Sequence, residues 1–232
     1  MKEVAIVGTG RMGEAIATHI YSDVELTLLN SGSKQGKELA RTLHAHYSTD
    51  FSVLNQVDVI LCCVPQGMTD EVIRKASRYA SKGTIIINCS TKAWIKEEVK
   101  KEHHELHYVE AKIIGHAGSI KAGQRAYVIA EADEDVRDNV TDILSPLAEV
   151  VFDDPALVEE LNKVATEVGI KAAVQLDQQV RDKNLSPEIK QILVENVCAG
   201  VMSAYARDDL GHFAKQIVEE IKNKEPKDER DL

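Results

Sequence analysis

Apolar residues arrive in short runs that alternate with stretches of three- and four-residue spacing, and this alternation holds from the start of the chain to about position 152. The runs cover residues 4–7, 26–29, 57–64, 84–88, 108–114, 126–130 and 150–152, each of a length suited to a buried strand. Between them, residues 12–20, 36–43, 69–79, 93–102 and 134–147 carry helical spacing. Strand and helix in alternation predict βαβ units, and right-handed crossovers then give a Rossmann-type doubly wound, mainly parallel α/β sheet.

After Phe152 only helical spacing remains. Pro155 suits a first helical turn, and that helix is expected to run to about Arg181 with Gly169 as its weak point. Ser186 and Pro187 form a cap and first turn for a second helix, which continues through Ile192, Val197, Val201 and Ala204. A third helix is predicted over 210–222, followed by a charged tail expected to fray. The expected organisation is a nucleotide-binding domain over 1–153, a helical dimerisation and substrate region over 154–224, and a tail over 225–232.

Gly8-Thr9-Gly10-Arg11-Met12-Gly13 follows the first strand and opens the first helix. In that setting the first glycine permits a tight turn, the second lets backbone approach a pyrophosphate, and the third packs helix on strand. Free N–H groups at the helix start would hold the diphosphate of a dinucleotide. The second strand ends at Asn30 without the carboxylate that would hold the adenosine ribose of NAD. Ser31, Ser33 and Lys34 offer hydroxyls and a cation there instead, so NADP is expected rather than NAD, although the same residues would serve a turn and cap. Val64 and Pro65 end one strand and Ser90 ends the next, positions from which they would flank the riboses and reach the nicotinamide carboxamide.

Composition narrows the partners. A net charge of -10 disfavours general nucleic-acid binding, and 44% hydrophobic with 28% charged residues is a globular balance without a membrane-length apolar run. Cys62, Cys63, Cys89 and Cys198 have no paired spacing and read as reduced core thiols. With a strand beginning at Glu3, no secretory leader is expected and the cytoplasm is the expected setting. His103, His104 and His107 form a cluster that reads as a solvated turn, so no metal site is expected.

The glycine motif with Met12 before its last glycine, the pair Ser90-Thr91, and the segment from Glu110 to Gly123 together resemble the β-hydroxyacid dehydrogenases. That family includes 3-hydroxyisobutyrate dehydrogenase, glyoxylate and succinic semialdehyde reductases, and the NAD(P)-binding part of 6-phosphogluconate dehydrogenase. The resemblance implies hydride transfer on a small carbonyl or hydroxy compound. It puts Lys163 at the family's catalytic lysine and Ser90, Gly115, His116 and Thr166 at the substrate. A lysine ammonium would return a proton to the developing alkoxide; alternatively, Lys163 pairs with Glu159, Glu160 and Glu167 on a solvated helix face.

The sequence also departs from the family. Ile114 and His116 replace the serine and second glycine that hold a carboxylate, Thr166 and Glu167 replace paired asparagines, and the chain after Lys163 is short. His116 could donate a proton or bind substrate. A short helical region implies a homodimer whose apolar faces, with Ile170, Ala173, Val174, Val197, Val201 and Met202, cover each other. Chains of this length also resemble pyrroline-5-carboxylate reductases and coenzyme F420-dependent NADP oxidoreductases, for which F420 would be a co-substrate. A non-catalytic NADP-binding sensor is the reading from another class.

Overall fold

The central strands are apolar on both faces, as parallel strands covered by helices on two sides must be. In β1 (Lys2–Val7), Val4, Ala5, Ile6 and Val7 are all buried, and the computed structural model, which describes residues 1–224, shows why. One core holds Val4 and Ile6 against Ile16 and Ile20 of α1 (Arg11–Ile20). The other holds Ala5 and Val7 against Val72, Ile73 and Ala76 of α3 (Gln66–Tyr79).

The sheet has eight strands in the order β3-β2-β1-β4-β5-β6-β7-β8. β2 (Val24–Leu29), β3 (His46–Ser48), β4 (Val59–Cys62), β5 (Ile85–Asn88) and β6 (His107–Ile114) run parallel to β1. β7 (Ala126–Glu131) is antiparallel to β6, and β8 (Ala148–Phe152) is parallel to β7. The order turns about β1, with β2 on one side and β4 on the other, and ligands of open sheets lie at the carboxyl ends beside such a switch point.

The Rossmann-type sheet followed by helices stands as expected, with local corrections. β3 was not anticipated, because His46-Tyr47-Ser48 is half-polar and pairs only at the sheet edge. The run at 57–64 is strand only over Val59–Cys62; Asp50 caps a short 3-10 turn over Phe51–Gln56 before it. α2 (Lys34–Thr42) is close to its expected span, α4 (Glu97–Glu102) is shorter than predicted, and α5 (Ala117–Lys121) fills the β6–β7 connection. α6 (Arg137–Leu144) starts later than predicted, behind a 3-10 turn at Glu134–Val136.

The described residues divide into two compact units, Met1–Val164 and a second from Ala165 onward. α7 (Val158–Gln179) passes Gly169 unbroken, because a single interior glycine costs only about 1 kcal/mol. In the second unit, Ser186 Oγ accepts from Ile189 N and opens α8 (Pro187–Ile192) as expected. The expected continuous second helix is interrupted by a π turn at Leu193–Cys198 before α9 (Ala199–Ala206). α10 (His212–Lys224) closes the described chain, and the tail from 225 lies outside the described residues. No described helix is long and apolar enough to cross a membrane.

Candidate active site

The glycine loop between β1 and α1 has the three-way division of labour that its spacing requires. Gly8 adopts φ +99°, and a Cβ there would come within 2.6 Å of the Cys63 carbonyl oxygen. A Cβ on Gly13 would lie 1.9 Å from the Gly8 carbonyl oxygen, so the helix sits against the turn. Gly10, at the helix start, faces open space: a Cβ would meet nothing within 4 Å. That is room for a ligand to approach the first N–H groups of α1.

At the end of β2 the side chains knit a turn. Asn30 Nδ2 donates to Thr9 Oγ1, tying β2 to the glycine loop, while Asn30 Oδ1 accepts from Gly32 N and Ser33 N at 3.1 and 3.2 Å. Ser33 Oγ caps α2 by accepting from Gly36 N at 3.0 Å. Asn30 and Ser33 therefore hold the turn, and Ser31 and Lys34 stay exposed beside the N-terminus of α2.

A cavity of about 360 Å³ opens at the carboxyl ends of β1, β4 and β5, between Gly10, Arg11, Met12, Val64, Pro65 and Ser90. Cys63 and Cys89 also line it. A bond to Cys89, reinforced by burial, pushes the Cys63 thiol well above the ordinary thiol range. A larger cleft of about 520 Å³ lies at the opposite strand edge by Lys2, Asp58 and Thr84, away from the glycine loop.

Residues 3–156 match the family described as the NAD binding domain of 6-phosphogluconate dehydrogenase. The chain belongs to that family. It is thus one of the NAD(P)-binding oxidoreductases, and the glycine loop at Gly8–Gly13 lies inside the matched span. No match is found among curated proteins. Among solved structures, the chain resembles a Plasmodium falciparum pyrroline carboxylate reductase with NADP bound, at 16% identity and a TM-score of 0.70, over 95% of this chain and 84% of that one. It also resembles a Coxiella burnetii pyrroline-5-carboxylate reductase at 12% identity and TM-score 0.69, over 99% of this chain and 87% of that one. A Mycobacterium tuberculosis 3-hydroxyisobutyrate dehydrogenase is similar at 18% identity and TM-score 0.60, over 84% of this chain and 71% of that one. These identities establish a shared fold.

Within this family domain, Arg11 on the glycine loop reaches His116 on the segment after β6, with Nη2 to Nε2 at 2.9 Å. Arginine offers only donors, so in this contact His116 Nε2 is the acceptor. Gly115 packs beneath: a Cβ there would press on Ile120 and Ala126 at 3.1 and 3.2 Å. Lys121 of α5 pairs with Glu14 of α1, which ties this segment to the same helix.

Lys163 is exposed on α7, and its neighbour Asn162 donates Nδ2 to the Ile113 carbonyl oxygen at 2.8 Å, fixing the start of α7 at the end of β6. Two of the three acidic neighbours expected to pair with Lys163 pair with other lysines: Glu159 with Lys92 at 3.4 Å, and Glu167 with Lys171 at 4.0 Å. Thr166 belongs to the second unit. His103 and His104 turn to Glu105, and His107 stands apart with Asp133 and Asp135.

Sequence reasoning gave no role to Glu110 and Lys112, which are buried in β6 and bonded to the loop carrying Ser90. The available signal was two opposite charges, two positions apart, inside a stretch otherwise apolar from Val109 to Ile114.

Proposed function

We propose that the chain is an NADP-dependent oxidoreductase that moves a hydride between the nicotinamide and a small carbonyl or hydroxy compound. The observation that carries the cofactor choice is the end of β2, where Asn30 is committed to a turn, no carboxylate faces the adenosine ribose, and Ser31 and Lys34 stand exposed. A 2′-phosphate fits a cation and hydroxyl beside a helix N-terminus, and a carboxylate there would repel it.

In this reading the loop of Gly8, Thr9, Gly10, Arg11, Met12 and Gly13 holds the diphosphate, with Gly10 at the point of approach and Gly8 and Gly13 shaping the turn and its packing. Asn30 and Ser33 shape the adenosine end, while Val64, Pro65 and Ser90 flank the nicotinamide half. Gly115 and His116 face the substrate. Lys163 returns the proton, an assignment supported by the Asn162 anchor one residue before it. When bound, the cofactor supplies the hydride; the chain's own residues orient it and handle the proton.

A second reading, reduction of an imine, is favoured by length: likeness to the pyrroline-5-carboxylate reductases spans more of this chain than likeness to the 3-hydroxyisobutyrate dehydrogenase. Lys163→Ala separates the two. With NADPH and a panel of aldehydes, keto acids and cyclic imines, a loss of about 100-fold or more in kcat supports a carbonyl reductase with Lys163 as acid. Undiminished turnover of imines supports the second reading. Binding without any turnover would leave a sensor, and NADH binding as tightly as NADPH would overturn the cofactor choice.

The second unit supports a homodimer. Among residues 165–223 none is buried, and Ile170, Val174, Val197, Val201 and Met202 are between 45% and 59% exposed. Helices with no buried side chain gain little from folding alone, and a second copy is the simplest cover for identical faces. The proposed setting is the cytoplasm, which keeps thiols such as Cys63 and Cys89 reduced.

A further inference from the structure

β6 carries two opposite charges on one face, Glu110 and Lys112, with 4% and 0% of their surfaces exposed. Neither has a part in the hydride chemistry proposed above. Taking both ions out of water is expensive, and an apolar pair of similar size often stabilises a core equally well, so stability alone does not account for them.

Their bonds converge on a single loop. Lys112 Nζ donates to the carbonyl oxygens of Ser90 and Ala93 at 2.6 and 2.8 Å and to Glu110 Oε2 at 2.6 Å. The ammonium's three donors are thereby used, and its charge also stands 4.9 Å from the ring centre of Trp94. Glu110 accepts from Ile95 N at 2.5 Å and from Asn88 Nδ2 at 2.8 Å. Asn88 completes the set by accepting from Ser90 N at 3.0 Å and donating to Ala93 O at 2.7 Å. Apart from the ion pair itself, each bond ends between residues 88 and 95, and Ser90, Thr91 and Lys92 of that loop line the cavity.

We infer that Lys112, held by Glu110, is a positioning residue that fixes the 90–95 loop in its binding shape before the cofactor arrives, and so strengthens the grip on the nicotinamide half alone. The inference rests on the dinucleotide reading of the cavity. A dinucleotide that straddles the switch point lays its adenosine half toward β2 and its nicotinamide half toward β4 and β5, where this loop begins. A loop already ordered gives up little conformational freedom on binding, and that saving appears as affinity.

The test compares the full chain with the double variant Glu110→Gln, Lys112→Met, which leaves neither ion alone in the core. Calorimetry with NADPH and with 2′,5′-ADP, which carries only the adenosine half, separates the two ends of the site. The NADPH Kd is expected to rise about tenfold or more and the 2′,5′-ADP Kd to stay within about twofold. Equal losses for both ligands would reduce the pair to fold support, and no loss for either would release the loop from it; each overturns the inference.

A second measurement needs neither variant nor ligand. In the unliganded wild type, the amides of Ser90 and Ile95 are expected to exchange about 100-fold or more slowly than unstructured amides. Exchange at unstructured rates overturns the inference even if the double variant fails to fold. If the wild type bound neither nucleotide, the cofactor reading would fail, whereas the exchange rates would still decide whether the loop is held.

Discussion

Gly13 sits so close to Gly8 that a methyl group at position 13 would lie 1.9 Å from the Gly8 carbonyl oxygen, while one at Gly10, between them, would touch nothing. The same motif therefore contains a glycine that packing requires and one that packing leaves free for the proposed ligand, and substitution separates them. Gly13→Ala is expected to destabilise the fold by about 1–3 kcal/mol through overpacking. Gly10→Val should leave urea unfolding nearly unchanged and weaken NADPH binding about 100-fold. Comparable stability losses for the two variants would contradict this division.

Lys34 stands exposed at the first position of α2, just after the capping Ser33. Replacing it with alanine is expected to raise the Kd for NADPH about tenfold, the loss of one charge-assisted phosphate contact, and to leave that for NADH unchanged. Parallel titrations read the difference, and an equal effect on both nucleotides would place the 2′-phosphate elsewhere.

The legible parts were those whose physical demand is local. Gly8, Gly10 and Gly13 announce themselves because turn, approach and packing each require a missing side chain within six residues. Asn30 was legible as the end of β2, but not its bonds to Gly32 and Ser33, which depend on turn geometry. The edge strand His46–Ser48 has no apolar run to betray it. Lys112 escaped because a charge in a strand reads as solvent-facing until its partners at Ser90 and Ala93, about twenty positions earlier, are brought beside it.

Val201 is 47% exposed on α9, in a unit with no buried residue among those described. A charge on such a face would have to be buried without a partner in an assembled dimer. If the chain is the proposed homodimer, Val201→Glu is expected to shift it to monomer in light scattering and to lower its helical circular dichroism. An unchanged mass for the variant would exclude this face from the interface.

Cys62 is buried in β4, and burial, with the nearby Cys89 and Glu110 adding to it, pushes its thiol far above the ordinary range. The folded thiol keeps its proton to higher pH than the unfolded one. Its contribution is complete below the unfolded value of about 8.5 and is lost as pH climbs toward the folded value, by up to about 1.4 kcal/mol per pH unit. Urea unfolding between about pH 8.5 and 10.5 should therefore fall more steeply for the wild type than for Cys62→Ala. Parallel slopes would contradict the burial argument.

The reversal of β7 relative to β6 has a consequence for how this enzyme class can diversify. Because the chain doubles back, α5 and His116 never leave the rim where Arg11 waits, and the whole turn is anchored at its two feet by ladder pairs such as Ile114 with Tyr127. Insertions or exchanges within that turn would remodel the proposed substrate side while the sheet keeps its register, so a new substrate preference would require little change to the scaffold beneath it.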